Sequence, residues 1–179
     1  MANVFFTSNF GLNFQISNTL FATRIFHKDA GQYGLLGTYI AVGAVIAALI
    51  ATKRGKRLPT EIIWYSFGFG LLEMLLSQSP NYLCYSVVLV FCGFAAISTM
   101  LSSNTYVQMT TRANLRGRVM GIYLLIFLGG TPIGSPIIGW SSDFIGVRQT
   151  LFICGLMTAL GGVTSYRFLK KRLVAFEKN

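Results

Sequence analysis

The chain has 179 residues, 53% of them apolar and only 11% charged, and its mean hydropathy is +0.59. A water-soluble domain of this length needs far less apolar surface to fill a core, so lipid is the expected solvent. The net charge of +10 does not indicate a nucleic-acid binder, because the cations are separated by membrane-length apolar stretches and form no single basic face.

Runs of roughly 17 to 25 apolar residues, the length that crosses hydrocarbon as a helix, predict six spans at 4–23, 33–52, 61–78, 82–107, 119–141 and 149–169. The first is interrupted by Asn9, Asn13, Gln15 and Asn18. A buried amide in hydrocarbon needs a partner, so this helix should face protein or a wet cavity. The second span carries small residues at Gly37, Gly43, Ala47 and Ala51, which let helix backbones approach closely. Glu73 is the one carboxylate inside a span, which makes it a proton-site candidate. It lies about five residues, roughly 8 Å of helix, from the outer end, so it is also expected to reach the interface. The GFG at Gly68 to Gly70 reads as helix packing. Pro80 and Asn81 form a tight uncharged turn that should fold the third and fourth spans into a hairpin. On the fourth span Asn104 and Gln108 are four residues apart and share one helical face. The fifth span crowds Gly129, Gly130, Pro132, Gly134 and Pro136 together and should bend. Cys84, Cys92 and Cys154 sit in apolar spans without metal-ligand spacing and read as free structural thiols.

The connections set the orientation. Lys53, Arg54, Lys56 and Arg57 follow the second span, Arg112, Arg116 and Arg118 the fourth, and Arg167, Lys170, Lys171, Arg172 and Lys178 the sixth, so twelve of fifteen cations fall on one side. Only Arg24, Lys28 and Arg148 fall on the other. The positive-inside rule then makes the cation-rich side cytoplasmic, with both termini inside and an even number of spans in a plasma membrane. The amino terminus lacks a basic n-region and cleavage site, so no signal peptide is expected. Residues 1–179 read as one transmembrane bundle, with a basic cytoplasmic tail over 170–179. The fold class is all-α integral membrane.

Two stretches point to a family: RANLRGRVMGIY from Arg112 to Tyr123, continuing through LLIFLGGTPIGSPIIGWSSDFIGVR to Arg148, and NFQ at Asn13 to Gln15, followed by GQYGLLGTY from Gly31 to Tyr39. Together they resemble the carboxy-terminal six-helix half of major facilitator superfamily efflux transporters, in the branch of enterobactin exporters and macrolide efflux proteins. The resemblance implies that the first and fourth spans line a cavity, the second and fifth rock as gates, and the third and sixth face lipid. Asn13, Gln15, Asn18, Asn104 and Gln108 are then the substrate-cavity candidates. Phe10, Phe14 and Tyr106 are further aromatic candidates. Arg112, Arg116, Gly117 and Arg118 form a basic motif at the inner gate, where guanidinium groups reach helix-end carbonyls and lipid phosphates. Topological anchoring alone explains them equally well. Gly139, Asp143, Gly146 and Arg148 echo a superfamily loop motif, and an Asp143 to Arg148 ion pair is expected to order that turn. Gly134 and Pro136 complete the gate candidates.

The implied function is proton-coupled export of a small amphiphilic compound. Its partners would be the lipid bilayer and an amino-terminal six-helix half that this sequence does not contain. The alternative is a non-transporting membrane scaffold or a transporter remnant. An enzyme is not expected, because HExxH, Walker A and GxSxG motifs are missing and His27 is the only histidine. No cofactor and no metal are implied.

Overall fold

The computed structural model describes residues 14–53 and 59–177, all helical apart from short connections. Six α-helices follow one another among the described residues: α1 (Phe14–Leu20), prolonged by a π turn over Phe21–Ile25, α2 (Ala30–Lys53), α3 (Pro59–Ser77), α4 (Tyr82–Thr110), α5 (Arg116–Phe144) and α6 (Val147–Glu177). No strand occurs among the described residues. Helices suit hydrocarbon because each satisfies its interior backbone N–H and C=O groups within itself.

Among the described residues four helices are long and apolar enough to cross a membrane: α2, α4, α5 and, over Val147–Thr164, α6. The 19-residue α3 falls short of them because Glu61 and Glu73 dilute its apolar side chains. Pro59 opens α3, where its missing N–H costs nothing. The α3–α4 connection is the expected hairpin, held by Gln78 N–H to Leu75 O at 3.1 Å and Ser79 N–H to Leu76 O at 3.1 Å. A second tight reversal joins α5 to α6 through Ile145 and Gly146, whose φ of +92° is a left-handed conformation that side chains disfavour.

α2 packs on α4, α3 on both α4 and α6, and these four helices form a slab; α1 and α5 touch the rest lightly. Glycines explain the tight crossings. A Cβ at Gly43 would collide with the Val90 carbonyl oxygen, and one at Gly93 with that of Ile40, so α2 and α4 meet backbone to backbone. A Cβ at Gly70 would lie 2.5 Å from Ala159 N and 2.6 Å from Gly155 O, while one at Gly155 would lie 2.7 Å from Gly70 O. Gly37, Gly68 and Gly139 make no such approach. Of the small residues on α2, therefore, Gly43 and the buried Ala47 form the seam. Within the GFG it is Gly70 that packs.

Exposure is uneven, within the slab as well as outside it. α4 and α6 bury 50% of their most apolar stretches, α2 only 17% and α5 only 24%. α5 runs unbroken through Pro132 and Pro136. Each proline lacks the N–H that would bond four residues back, leaving the Leu128 and Pro132 carbonyls without that donor.

The crossings make a direct prediction. Gly43→Ala or Gly70→Ala should each lower stability by about 1–3 kcal/mol through forced helix separation, whereas Gly37→Ala, in open space, should be neutral or slightly stabilising. Thermal unfolding in one detergent, followed by circular dichroism, checks all three.

Candidate functional site

Of the polar residues expected to line a cavity, Asn18 and the Asn104 and Gln108 pair lie at different depths of the bundle. Asn13 lies outside the described residues, and Gln15 occupies the first turn of α1. Asn18 is buried, and its Oδ1 accepts a hydrogen bond from the Tyr85 hydroxyl of α4 at 2.8 Å. Gln108 Nε2 donates to Asn104 Oδ1 at 2.7 Å, confirming their common face. Yet Tyr85 and Asn104 are both on α4, nineteen positions apart, which at 1.5 Å per residue is about 28 Å along the helix. Asn18 therefore belongs near one membrane face, and the Asn104 and Gln108 pair near the other.

Around Asn18 the bundle is closed by aromatic packing. Phe21 stacks on Tyr85 with ring centroids 4.8 Å apart, and Phe26 meets Tyr85 edge-on at 5.4 Å and Tyr82 at 5.9 Å. Such pairs contribute roughly 0.5–1.5 kcal/mol beyond their area. Three further bonds link the three helix connections on this cation-poor side. The Tyr82 hydroxyl donates to Gln32 O at 2.7 Å, joining the α3–α4 turn to the start of α2. Arg148 Nη1 donates to Ser77 O at 3.1 Å, joining the start of α6 to the end of α3. Arg24 Nη1 and Asp143 Oδ1 lie 2.6 Å apart, joining α1 to the end of α5.

These contacts correct the expected Asp143 to Arg148 pair. The two residues flank the Gly146 reversal on different helices, and each side chain meets a different neighbour. Arg148 supplies a donor to a C-terminal carbonyl of α3 that has no intrahelical partner. Asp143 neutralises the cation of α1.

Glu73 also departs from expectation. It does not reach the interface but is 1% exposed, between α3 and α6, with the Thr158 side chain hydrogen-bonding it and Oε2 lacking any partner. The face of α3 it occupies points into the bundle, so the side chain cannot extend outward past its own helix. Tyr85, Cys92 and Cys154 are its ionisable neighbours, and all three cysteines are free.

A polar seam on α4 escaped the sequence reading. Ser98, Thr99, Ser102 and Ser103 are buried; Thr99 Oγ1 bonds Ala95 O at 2.8 Å, whereas the Ser102 and Ser103 hydroxyls have no partner. The buried Tyr123 hydroxyl of α5 is likewise without one. The signal was there in the run STMLSSN, whose hydroxyls are small enough for a helix interface. Arg112, Arg116, Gly117 and Arg118 are exposed at the opposite, cation-rich end. On α5 Gly134 is buried while Pro136 is exposed, so the two face different surroundings.

Long apolar helices with hydroxyls, an amide and a carboxyl sealed between them define a multi-pass membrane protein. Residues 4–178 match the major facilitator family described as transmembrane secretion effector, and the chain belongs to that family. Membership places it with membrane transporters rather than enzymes. It is also similar to the staphyloferrin A transporter of Staphylococcus aureus (strain NCTC 8325 / PS 47), with 23% identity over 168 residues. That match covers 91% of this chain but 41% of the relative's length. No solved structure matches the chain.

The corrected pairing is testable by double-mutant cycles. Arg24→Gln and Asp143→Asn should couple by about 0.5 kcal/mol, the scale of an exposed ion pair. Arg148→Gln and Asp143→Asn should be additive. Chemical unfolding of the single and double variants reads both terms.

Proposed function

We propose that this bundle is the carboxy-terminal half of a secondary transporter that exports a small amphiphilic compound in exchange for protons. It works against an amino-terminal six-helix bundle, with the cation-rich end in the cytoplasm of a plasma membrane. The observation that carries the two-bundle reading is the exposure of α2 and α5, which leave Val45, Leu49, Leu125, Leu128 and Trp140 more than half exposed. Isolated apolar patches of this extent on a helix bundle mark a surface covered by lipid or by another bundle. These are the same two helices that the family resemblance casts as gates.

On this reading the Asn104 and Gln108 pair and the Ser102 and Ser103 hydroxyls contribute polar contacts toward the cytoplasmic side of the cavity, and Asn18 with Tyr85 toward the outer side. Arg112, Arg116, Gly117 and Arg118 latch the inner gate, and Gly134 and Pro136 shape α5. Glu73 is the proton-exchanging group, since a dry carboxyl with a bare oxygen is the one buried acid close to titratable neighbours. The compound named for the relative, staphyloferrin A, is the first substrate to test.

Purified protein in liposomes, alone and with a six-span partner half, decides the matter under an imposed proton gradient. Movement only with the partner supports the split-transporter reading; no movement in either case favours a scaffold or remnant. With transport in hand, Glu73→Gln should reduce proton-driven flux by about tenfold or more while leaving substrate exchange within about twofold. Equal loss of both would make Glu73 structural.

A further inference from the structure

Glu73 sits where three helices meet. Positions 69, 73 and 76 recur at helical spacing along α3, and Phe69 and Leu76, on either side of Glu73, belong to one packed core with Tyr85, Leu89 and Cys92 of α4 and Leu151 of α6. Glu73 lies four positions before the end of α3 and Tyr85 three positions after the start of α4. The α3–α4 hairpin therefore holds the two at similar depth, each roughly 5–6 Å from its helix end. Tyr85 is 0% and Glu73 1% exposed. Cys92 also faces the carboxyl from α4, and Cys154 and Thr158 face it from α6.

Tyr85 reaches the other way as well. Its hydroxyl carries a single hydrogen and gives it to Asn18 Oδ1 of α1 at 2.8 Å, while Glu73 Oε2 has no partner. A protonated carboxyl can donate a hydrogen bond, whereas a carboxylate only accepts. The two charge states of Glu73 thus ask different things of Tyr85. With Glu73 protonated, the phenol hydrogen stays with Asn18. With Glu73 ionised, in an interior that screens charge poorly, the carboxylate competes with Asn18 for that same hydrogen. α1 touches the other helices lightly, so its buried bond to Tyr85 matters to how it is held.

We infer that Tyr85 is a positioning residue that couples the proton on Glu73 to the docking of α1. While the carboxyl is protonated, the Tyr85 hydroxyl holds Asn18 and α1 is fastened to α4. When the proton leaves, the hydroxyl turns toward the carboxylate and α1 is released at Asn18. No proton passes along the chain of groups; only the acceptor of the phenol hydrogen changes. This coupling rests on the reading of Glu73 as the proton-exchanging group, and adds that its charge state is conveyed from α3 through α4 to α1.

Two measurements on the full chain in nanodiscs test it. Infrared difference spectra between acid and alkaline buffers follow the Glu73 carboxyl band, assigned by its loss in Glu73→Gln. Hydrogen exchange, corrected for intrinsic rates at each pH, follows the amides of residues 16–25. Protection of α1 should fall about fivefold across the pH range in which the carboxyl band disappears, the scale of one hydrogen bond. Glu73→Gln, uncharged throughout, should keep α1 protected and abolish the pH dependence. Tyr85→Phe should lower protection by about the same factor already at acid pH, with no further fall on raising it. Asn18→Ala should do the same, and keeps the test decisive if Tyr85→Phe fails to fold. A carboxyl band that titrates while α1 protection stays constant overturns the coupling and leaves Glu73 as the proton site. An undiminished pH-dependent fall in Glu73→Gln or Tyr85→Phe also overturns the coupling. A Glu73 band that never titrates overturns the proton-site reading, and the coupling with it.

Discussion

Helices in lipid gain nothing by hiding apolar surface from one another, because the surrounding chains are as apolar as leucine. What holds this bundle is close backbone approach, and it occurs at two crossings: Gly43 with Gly93 between α2 and α4, and Gly70 with Gly155 between α3 and α6. At these points carbonyl and Cα atoms of one helix touch those of the next, where dispersion contacts are densest. With α3 also packed along α4, the two crossings tie four helices into a slab. α1 and α5, lacking such crossings, depend on side-chain bonds at one end.

That division sorts the polar groups by task. Asn18, Tyr82, Arg24, Asp143 and Arg148 spend their hydrogen-bonding capacity joining elements on the cation-poor side. Glu73, Ser102, Ser103 and Tyr123 each keep a buried polar atom without a partner. An unmet buried polar group costs about 1–3 kcal/mol, so these four atoms mark where the described interior is least well satisfied.

Much of this could be read directly from residue order. The all-helical class followed from apolar length, the hairpin from Pro80 and Asn81, and the close contact at Gly43 from small residues recurring on α2. Two kinds of feature could not. The partners of Asp143 and Arg148 depend on which helix ends meet in space, and sequence nearness of the two residues was misleading because Gly146 turns the chain sharply between them. The inward position of Glu73 depends on how α3 is rotated against α6, and that rotation is set by Gly70 and Gly155, two residues 85 positions apart. The separation of Asn18 from Asn104 was within reach of simple counting along α4; grouping them by helix alone concealed their difference in depth.

The ring formed by the Tyr82, Arg148 and Arg24 bonds has a mechanical consequence. Each of the three connections on that side is fastened to the next, so a pull on one is carried to the other two through Tyr82, Arg148 and Arg24.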